Sequence, residues 1–550
     1  MRKTSRLSAL FGILFVAFTS QSGAQEQRIY SRDLLIEDLR QLAQIFETAH
    51  PDPYTHGGGK IPFHRKLQAA IRSIPNEGMT AREFHKHLLP FVAALGDGHT
   101  SLLPPDMAGP REPGLPVGFD IVEKCLYVAS VSEKNLEQAL GARLVSLEGV
   151  PFAELMNRQR LLQGSDNEYG NLVALCRGLR MRAILEMLLP EWKDSTSIHL
   201  VLRLKSGDER EFALATPRKI AGASLTPSSK IKLPPVERTD FGYQFMNEKK
   251  TTVLLRIDGM FGFRENFQYF NAAGVNWAKA RAVTVYKRFN QKAAPNSIND
   301  IIAGIPSATE VFRSLVIDMR NAGSKTLLID LRKNSGGNSL MGNILTYFLY
   351  GKKRLQSLDK GYSIKKYSDL YFSQYTADNL EKINADQPFS LMKEDYDFSG
   401  EVSYHNKDDR TANQDRIFEG YLKMIPTFME EVKSGKYDGY YLPEKVIVIC
   451  SAWTYSSGYD LMATLYKLGA TLVGVPSSQA GNCFGDVLMF KLKNTGISGQ
   501  VSFKLMLAFP DDPERGRLLQ PDFPLTYSKL ASCDFDPNAD ILLAIDLAKR

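Results

Sequence analysis

Residues 326–351 read TLLIDLRKNSGGNSLMGNILTYFLYG, and residues 445–469 read KVIVICSAWTYSSGYDLMATLYKLG. Each stretch is an apolar run, a turn of small and polar residues, and an apolar helix that stops at a glycine. In the first, Thr326 to Leu331 predicts a strand and Lys333 to Gly337 a turn, after which a helix runs to Tyr350 before Gly351. In the second, Lys445 to Cys450 predicts a strand, Thr454 to Ser457 a turn, and Gly458 to Leu468 a helix that Gly469 ends; Thr471 to Gly474 predicts the next strand. Strands that are apolar throughout, each followed by a helix, predict an α/β core whose mostly parallel sheet is covered on both faces.

The same two units place chemistry. A serine between a buried strand and a helix start carries its hydroxyl at the carboxyl edge of the sheet, near helix N-terminal amides that lack partners. Acyl transfer needs a hydroxyl nucleophile, a base to take its proton and two N–H donors for the oxyanion. Ser456 or Ser457 meets the first need, and the amide that follows, with that of Gly336 or Gly337, meets the third. A Thr-x-Ser-Ser turn by itself is an ordinary helix cap. For the base, His99 stands in a Gly-flanked turn. Thr80 and Glu83 form a capping box, and Phe84, Leu88, Leu89, Val92 and Leu95 follow at helical spacing up to Gly96, so that helix delivers Asp97-Gly98-His99 into the turn. The remaining histidines make no metal pattern: His85 and His87 diverge on a helix, and no HExxH occurs, so metal catalysis is disfavoured.

A chain of 550 residues exceeds one ordinary hydrophobic core. Arg2, Lys3 and Arg6 precede an apolar run from Leu7 to Phe18, and Ser22 and Ala24 suit a cleavage site, so residues 1–24 read as a secretory signal peptide and the protein as exported, periplasmic or extracellular. No later run has the length of a membrane span, so no stable membrane insertion is expected. A helical N-terminal domain is expected over 25–112, where Leu34, Leu35, Leu39, Leu42 and Ile45 recur at helical steps up to His50-Pro51. An α+β module is expected over 113–230, with short strands at Leu126–Val131, Ala142–Leu147 and Ile198–Leu204 and a helical stretch from Leu172 to Leu189. The core fills 231–550, interrupted by insertions near 261–306 and 355–441.

The formal net charge of +7 is small for this length and dispersed, which argues against nucleic acid. The cluster Lys279, Arg281, Lys287, Arg288 and Lys292 reads as a solvated face. Five widely spaced cysteines, Cys125, Cys176, Cys450, Cys483 and Cys533, describe neither a disulfide framework nor a CxxC zinc site, and read as buried thiols.

Taken in order, Gly96-Asp-Gly-His-Thr-Ser101, Gly141-Ala-Arg-Leu-Val-Ser-Leu-Glu-Gly149, Ile329-Asp-Leu-Arg-Lys-Asn-Ser-Gly-Gly337, Thr454-Tyr-Ser-Ser457, Val473-Gly-Val-Pro476 and Gln520-Pro-Asp522 form a series of landmarks that resembles the tail-specific, or C-terminal processing, serine peptidase family and its tricorn-core branch. The resemblance spans nearly the whole chain after the leader, the two insertions excepted. It is similar to the exported bacterial members down to His50-Pro-Asp-Pro-Tyr54. It implies a crotonase-like ββα superhelical core, a helical N-terminal domain, a PDZ-like module, a polypeptide substrate and no cofactor. Ser456 takes the nucleophile position, Ser457 contributes one oxyanion amide, and Gly336 or Gly337 the other. One branch of the family uses a lysine as base, but Pro476-Ser-Ser-Gln-Ala-Gly-Asn482 offers none at the corresponding place, which leaves His99. Glu514 is the expected orienting acid, with Asp512 and Asp97 as further options. Asn482, in the expected loop Gly481-Asn-Cys-Phe-Gly485, would donate a hydrogen bond to substrate beside Cys483, a neighbouring thiol with no nucleophilic role. The missing lysine and the unassigned acid also admit a catalytically inactive peptide-binding or scaffold protein of the same fold. A hydrolase of small esters or lipids is a third reading, for which no specific pocket is legible. The oligomeric state is left open.

Overall fold

In the computed structural model of the chain, Thr326–Asp330 is buried at every position, as its unbroken apolar run predicts. The structure describes residues 28–105, 113–192, 196–215, 224–236, 240–385 and 390–549; the signal peptide expected at 1–24 lies outside them. Thr326–Asp330 runs in the middle of six strands in the order Phe241–Phe245, Thr252–Ile257, Thr326–Asp330, Lys445–Cys450, Thr471–Gly474, Phe523–Pro524. The first pair is antiparallel and the other four are parallel. Side chains alternate across this sheet. Leu327 and Ile329 join Val448 and Leu472 under the helices Leu340–Tyr350 and Ser457–Lys467, while Leu328 meets Ile447, Ile449 and Val473 under the C-terminal helix Ala539–Ala548. Each such side chain, fully withdrawn from water, contributes about 1.5–3 kcal/mol.

A second, antiparallel sheet brings the N-terminal part of the chain to this core. The hairpin Asn482–Lys491 and Ser498–Leu507 is its centre, and Tyr362–Lys366, from the later insertion, pairs with the second arm. The short strand Ser101–Leu102 pairs with that same arm through Gly499 and Gln500. Four of the five residues expected as a loop, Asn482 to Gly485, therefore belong to a strand that runs to Lys491, with burial alternating along it except at Asp486 and Val487. Three helices, Arg32–Ala49, Lys60–Arg72 and Ala81–Ala93, pack against Phe490, Val501 and Phe503 of the hairpin. The Thr80–Glu83 capping box is formed. At the far end of the hairpin, the buried carboxylate of Asp38 accepts hydrogen bonds from Asn494 N, Thr495 N and Thr495 Oγ1 at 2.9, 2.8 and 2.6 Å.

The middle of the chain folds as an antiparallel sheet in the order Val117–Val122, Cys125–Val131, Arg143–Leu147, Ser197–Arg203, Glu209–Ala215, backed by helices. The helical stretch expected as one piece is two, Glu168–Gly178 and Arg182–Leu188. The break has a backbone cause: the carbonyls of Leu179 and Arg180 accept from the amides of Leu115 and Gly114, a pairing that a continuous helix would forbid. The stretch 261–306 holds the helices Arg264–Ala272, Ala278–Asn290 and Ile298–Ala303 around a small apolar cluster of their own. Among the described residues, no helix is long and apolar enough to cross a membrane.

Asp38→Ala strands three donors between the first helix and the hairpin, two of them buried. It is expected to lower stability by roughly 2–4 kcal/mol, read as a fall in the urea midpoint; a shift within error would show that water replaces the carboxylate.

Candidate active site

Ser456 follows the end of the Lys445–Cys450 strand and precedes the helix Ser457–Lys467, with φ 53° and ψ −127°. A non-glycine residue there carries roughly 1–3 kcal/mol of strain and persists only if its surroundings hold it. The holding is visible. Ser451 Oγ donates to the carbonyl of Arg332 at 2.6 Å, Thr454 Oγ1 to that of Leu331 at 2.9 Å, and Tyr455 N to that of Asn334 at 2.9 Å. Ser477 Oγ donates to the carbonyl of Thr454, and the amide of Ser456 to Oε1 of Gln479. The two strand-turn-helix units are thus laced to each other turn by turn.

The partner turn is fixed in its own right. The Arg332 guanidinium holds both oxygens of Asp330 at 2.8 Å and reaches Asp540 Oδ1 at 2.6 Å and Asn538 Oδ1 at 2.9 Å in the C-terminal segment. Asp330, Arg332 and Asn334 are therefore shaping residues. Gly336, at φ 111°, comes so close to the serine that a Cβ on it would lie 2.6 Å from Ser456 Cβ and 3.2 Å from Ser457 N. Its own N–H donates to Asn334 Oδ1 at 3.0 Å. The amide of Ser457, first in its helix, has no partner within that helix.

His99 arrives from the other side. Its amide donates to Asp97 Oδ1 at 2.8 Å, its carbonyl accepts from Gln500 Nε2 at 2.7 Å, and its ring lies 4.7 Å, centroid to centroid, from that of Tyr455. Nδ1 is 3.2 Å from the Tyr455 hydroxyl, which in turn donates to Asp166 Oδ2 at 3.1 Å; Asp166 Oδ1 accepts from Gly98 N at 2.8 Å. Gly98 has no room for a side chain, since a Cβ would lie 2.3 Å from the Tyr455 hydroxyl oxygen. Burial pushes the Asp166 carboxyl up to about 6, with the His99 charge opposing and that of Asp97 adding. Burial, and then the Asp166 charge, raise the Tyr455 phenol well above its ordinary value, so it keeps its proton. His99 Nε2 is buried without a hydrogen-bond partner, and among the described residues no hydrogen bond joins it to Ser456.

His99, Gly336, Gly337, Ser456 and Ser457 line one cleft, together with Asp166, Tyr455 and Gln479. Two expected members do not join them. Glu514 sits on the short helix Pro513–Arg517 with its side chain 85% exposed and paired to Arg517 at 3.3 Å, so it orients nothing at His99. Asp512, the nearby option, caps that same helix through Arg515 N. Asn482 binds the backbone of Phe509 on both sides, donating to its carbonyl at 2.9 Å and accepting from its N–H at 3.0 Å, and is a structural staple outside the lining of this cleft. Asp97, the remaining option, touches the backbone of His99 while its second oxygen is taken by Thr100, Ser502 and His50. Asp166, Tyr455 and Gln479 carried no signal in the sequence beyond the neighbourhood of Ser456 for Tyr455. Asp166 belongs to a Gly-Ser-Asp-Asn turn before a helix, which by itself reads as a cap.

Residues 287–497 match the model of peptidase family S41. Over that stretch the chain is similar to the serine peptidases of family S41. The fold as a whole is similar to that of mature CPAF, at 14% identity and a TM-score of 0.56, over 92% of this chain and 96% of that one. It is likewise similar to mature CPAF complexed with lactacystin, at 14% identity and a TM-score of 0.54, over 93% and 97%. The photosystem II D1 C-terminal processing protease aligns over 91% of this chain and 94% of its own at 11% identity, with a TM-score of 0.38. No curated protein matches the chain. The matched region contains the strand-turn-helix pair with Ser456, while His99 and Asp166 lie N-terminal to it.

Two substitutions test this geometry. Gly336→Ala, which pushes on Ser456, is expected to lower kcat/KM by about 100-fold or more. Glu514→Gln is expected to leave it within about twofold, as for a surface ion pair with no other role; a large loss would return Glu514 to the site.

Proposed function

We propose that this peptidase cleaves peptide bonds through an acyl-enzyme, with Ser456 as nucleophile and His99 as general base, His99 being set by a relay from Asp166 through Tyr455. The observation that carries the reading is the hydrogen-bond order of that relay. Tyr455 has one proton, and it goes to the Asp166 carboxylate. Its oxygen must then accept from His99, which puts the imidazole proton on Nδ1 and leaves the lone pair on Nε2. That is the tautomer a base needs.

The steps follow. Ser456 Oγ attacks the scissile carbonyl as its proton passes to His99 Nε2. The carbonyl oxygen gains negative charge, for which the Ser457 and Gly337 amides are the donors, since the Gly336 amide is committed to Asn334. His99 returns the proton to the leaving amine, and a water deprotonated in the same way then hydrolyses the ester. Proton transfer asks that Nε2 come within about 3.2 Å of Oγ, a contact that often tightens only with substrate in place.

The finer architecture and setting belong to the same proposal. The parallel sheet flanked by helices supports a crotonase-like core. Glu209–Ala215, at the edge of the antiparallel module, supports PDZ-like docking of an extended peptide by strand addition. The basic and apolar leader supports export to the periplasm or beyond.

A fluorophosphonate probe is expected to label the wild type and not Ser456→Ala. Label that persists there and disappears only in Ser457→Ala would move the nucleophile by one residue. His99→Ala is expected to lower kcat by about 10²–10⁴. No label on either serine, with casein intact after long incubation, would replace the enzyme reading with that of a binding protein. Tyr455→Phe keeps the ring and removes the relay hydroxyl, so it is expected to lower kcat at unchanged KM; an unchanged kcat removes Tyr455 from the relay.

A further inference from the structure

We propose that His99, Asp166 and Cys483 form an inhibitory binding site for a thiophilic divalent cation, Zn²⁺. The inference rests on the proposed relay for the proton on His99 Nδ1 and for its functional consequence; the clustering of the three residues stands on geometry. The three residues come from separate segments, the turn after the third N-terminal helix, the turn before Glu168–Gly178 and the first arm of the hairpin. Each offers one donor atom, a ring nitrogen, a carboxylate oxygen and a sulfur, and all three atoms lie within 4.8 Å of one another. His99 is only 8% exposed, and its Nε2 is buried with no partner, so a lone pair is held out of water with nothing on it. Such a group has a costly vacancy that a cation can fill.

The donor chemistry selects the ion. Sulfur with imidazole and one carboxylate suits zinc and excludes magnesium and calcium, which take oxygen sets. Zinc bonds of about 2.0–2.3 Å place tetrahedral donors about 3.5 Å apart, so closing the cluster asks for side-chain movement of the order of 1 Å. Asp166 can keep its Gly98 N–H bond meanwhile, because a carboxylate accepts at about four positions. Cys483 is 5% exposed and stays protonated: burial first, then the charges of Asp166, Asp460, Asp97 and Asp486, raise its thiol well above the ordinary value. The same negative surroundings attract a divalent cation, which displaces the thiol proton to solvent as the sulfur–metal bond forms. With three protein ligands the fourth position stays open. A bound ion occupies the imidazole lone pair, so His99 cannot take the proton of Ser456 and turnover stops until the ion leaves.

Calorimetric titration of the full chain with zinc chloride is expected to show one tight site per chain. Cys483→Ala, which alters no group that the reaction uses, should weaken that site at least about tenfold while keeping kcat and losing the zinc inhibition. Cobalt(II) should give a thiolate charge-transfer absorption in the wild type that is absent in the variant, and a chelator should restore activity. Cys483→Ser supplies the same comparison if the alanine variant does not fold. Equal zinc binding and equal inhibition in wild type and both variants, or a cobalt complex without the thiolate band, would overturn the site. A chain that shows the Cys483-dependent band but cleaves nothing upholds the site and refutes the peptidase reading instead.

Discussion

The buried carboxylate of Asp97 is the point at which three parts of the chain meet. Its Oδ1 accepts from the amide of His99; its Oδ2 accepts from Thr100 Oγ1 at 2.5 Å, Ser502 Oγ at 2.6 Å and His50 Nε2 at 3.2 Å. His50 comes from the end of the first helix and Ser502 from the hairpin. Because Asp52 N donates to His50 Nδ1, the His50 proton sits on Nε2, facing the carboxylate. Burial alone would raise the Asp97 carboxyl; the His50 hydrogen bond, with the His50 and His99 charges and Ser502, more than offsets it and holds the group below its usual range. An isolated buried carboxylate would cost several kcal/mol, so the aspartate tolerates its position only while all these donors are present. The His99 turn thus inherits its location from the helical domain and the hairpin together.

Ser456 depends on a different kind of constraint. Its backbone is held at positive φ by bonds from the turns on either side, and the absence of a side chain at Gly336 gives the serine its space. The buried Arg332 that anchors the partner turn, Lys333 to Gly337, satisfies two aspartates and two further oxygens at once. Removing the guanidinium would leave the Asp330 and Asp540 carboxylates uncompensated in the core, a change that typically costs about 3–5 kcal/mol. Strain at Ser456 is therefore balanced by a polar network that reaches the C-terminal helix.

These features divide cleanly by whether the sequence displays them. The runs Thr326–Asp330 and Lys445–Cys450 announce a two-faced sheet because every residue is apolar, and glycines mark where the following helices stop. The capping box and the helix to His99 are legible because they obey local rules over a few residues. The hairpin arms are not legible in the sequence because Gly485 and Gly499 interrupt the alternation, although the pairing itself supplies what those glycines lack. Asp166 was invisible for a deeper reason. It lies 67 positions from His99 in sequence and meets it only once the antiparallel module is docked, and the residue between them, Tyr455, comes from a third segment. Glu514 stands one place off the spacing that the resemblance implies before the Gln520-Pro-Asp522 landmark, where Arg515 sits, and its helix turns it to solvent.

Why the acid should sit behind a tyrosine follows from the charges already present. A carboxylate bonded directly to Nδ1 would add a third partner to an imidazole whose backbone Asp97 already fixes, and would place two carboxylates close together in a poorly solvated pocket. Interposing the phenol keeps Asp166 at one remove and still orders the protons, since a tyrosine that donates to the acid can only accept from the histidine. The arrangement has a consequence for what else His99 attracts. An imidazole whose Nδ1 proton is held in this way presents an uncommitted lone pair on Nε2, and a lone pair held in an anionic surround beside a thiol serves a proton or a soft cation on the same terms. Competition between the two is thus built into the geometry of the proposed base.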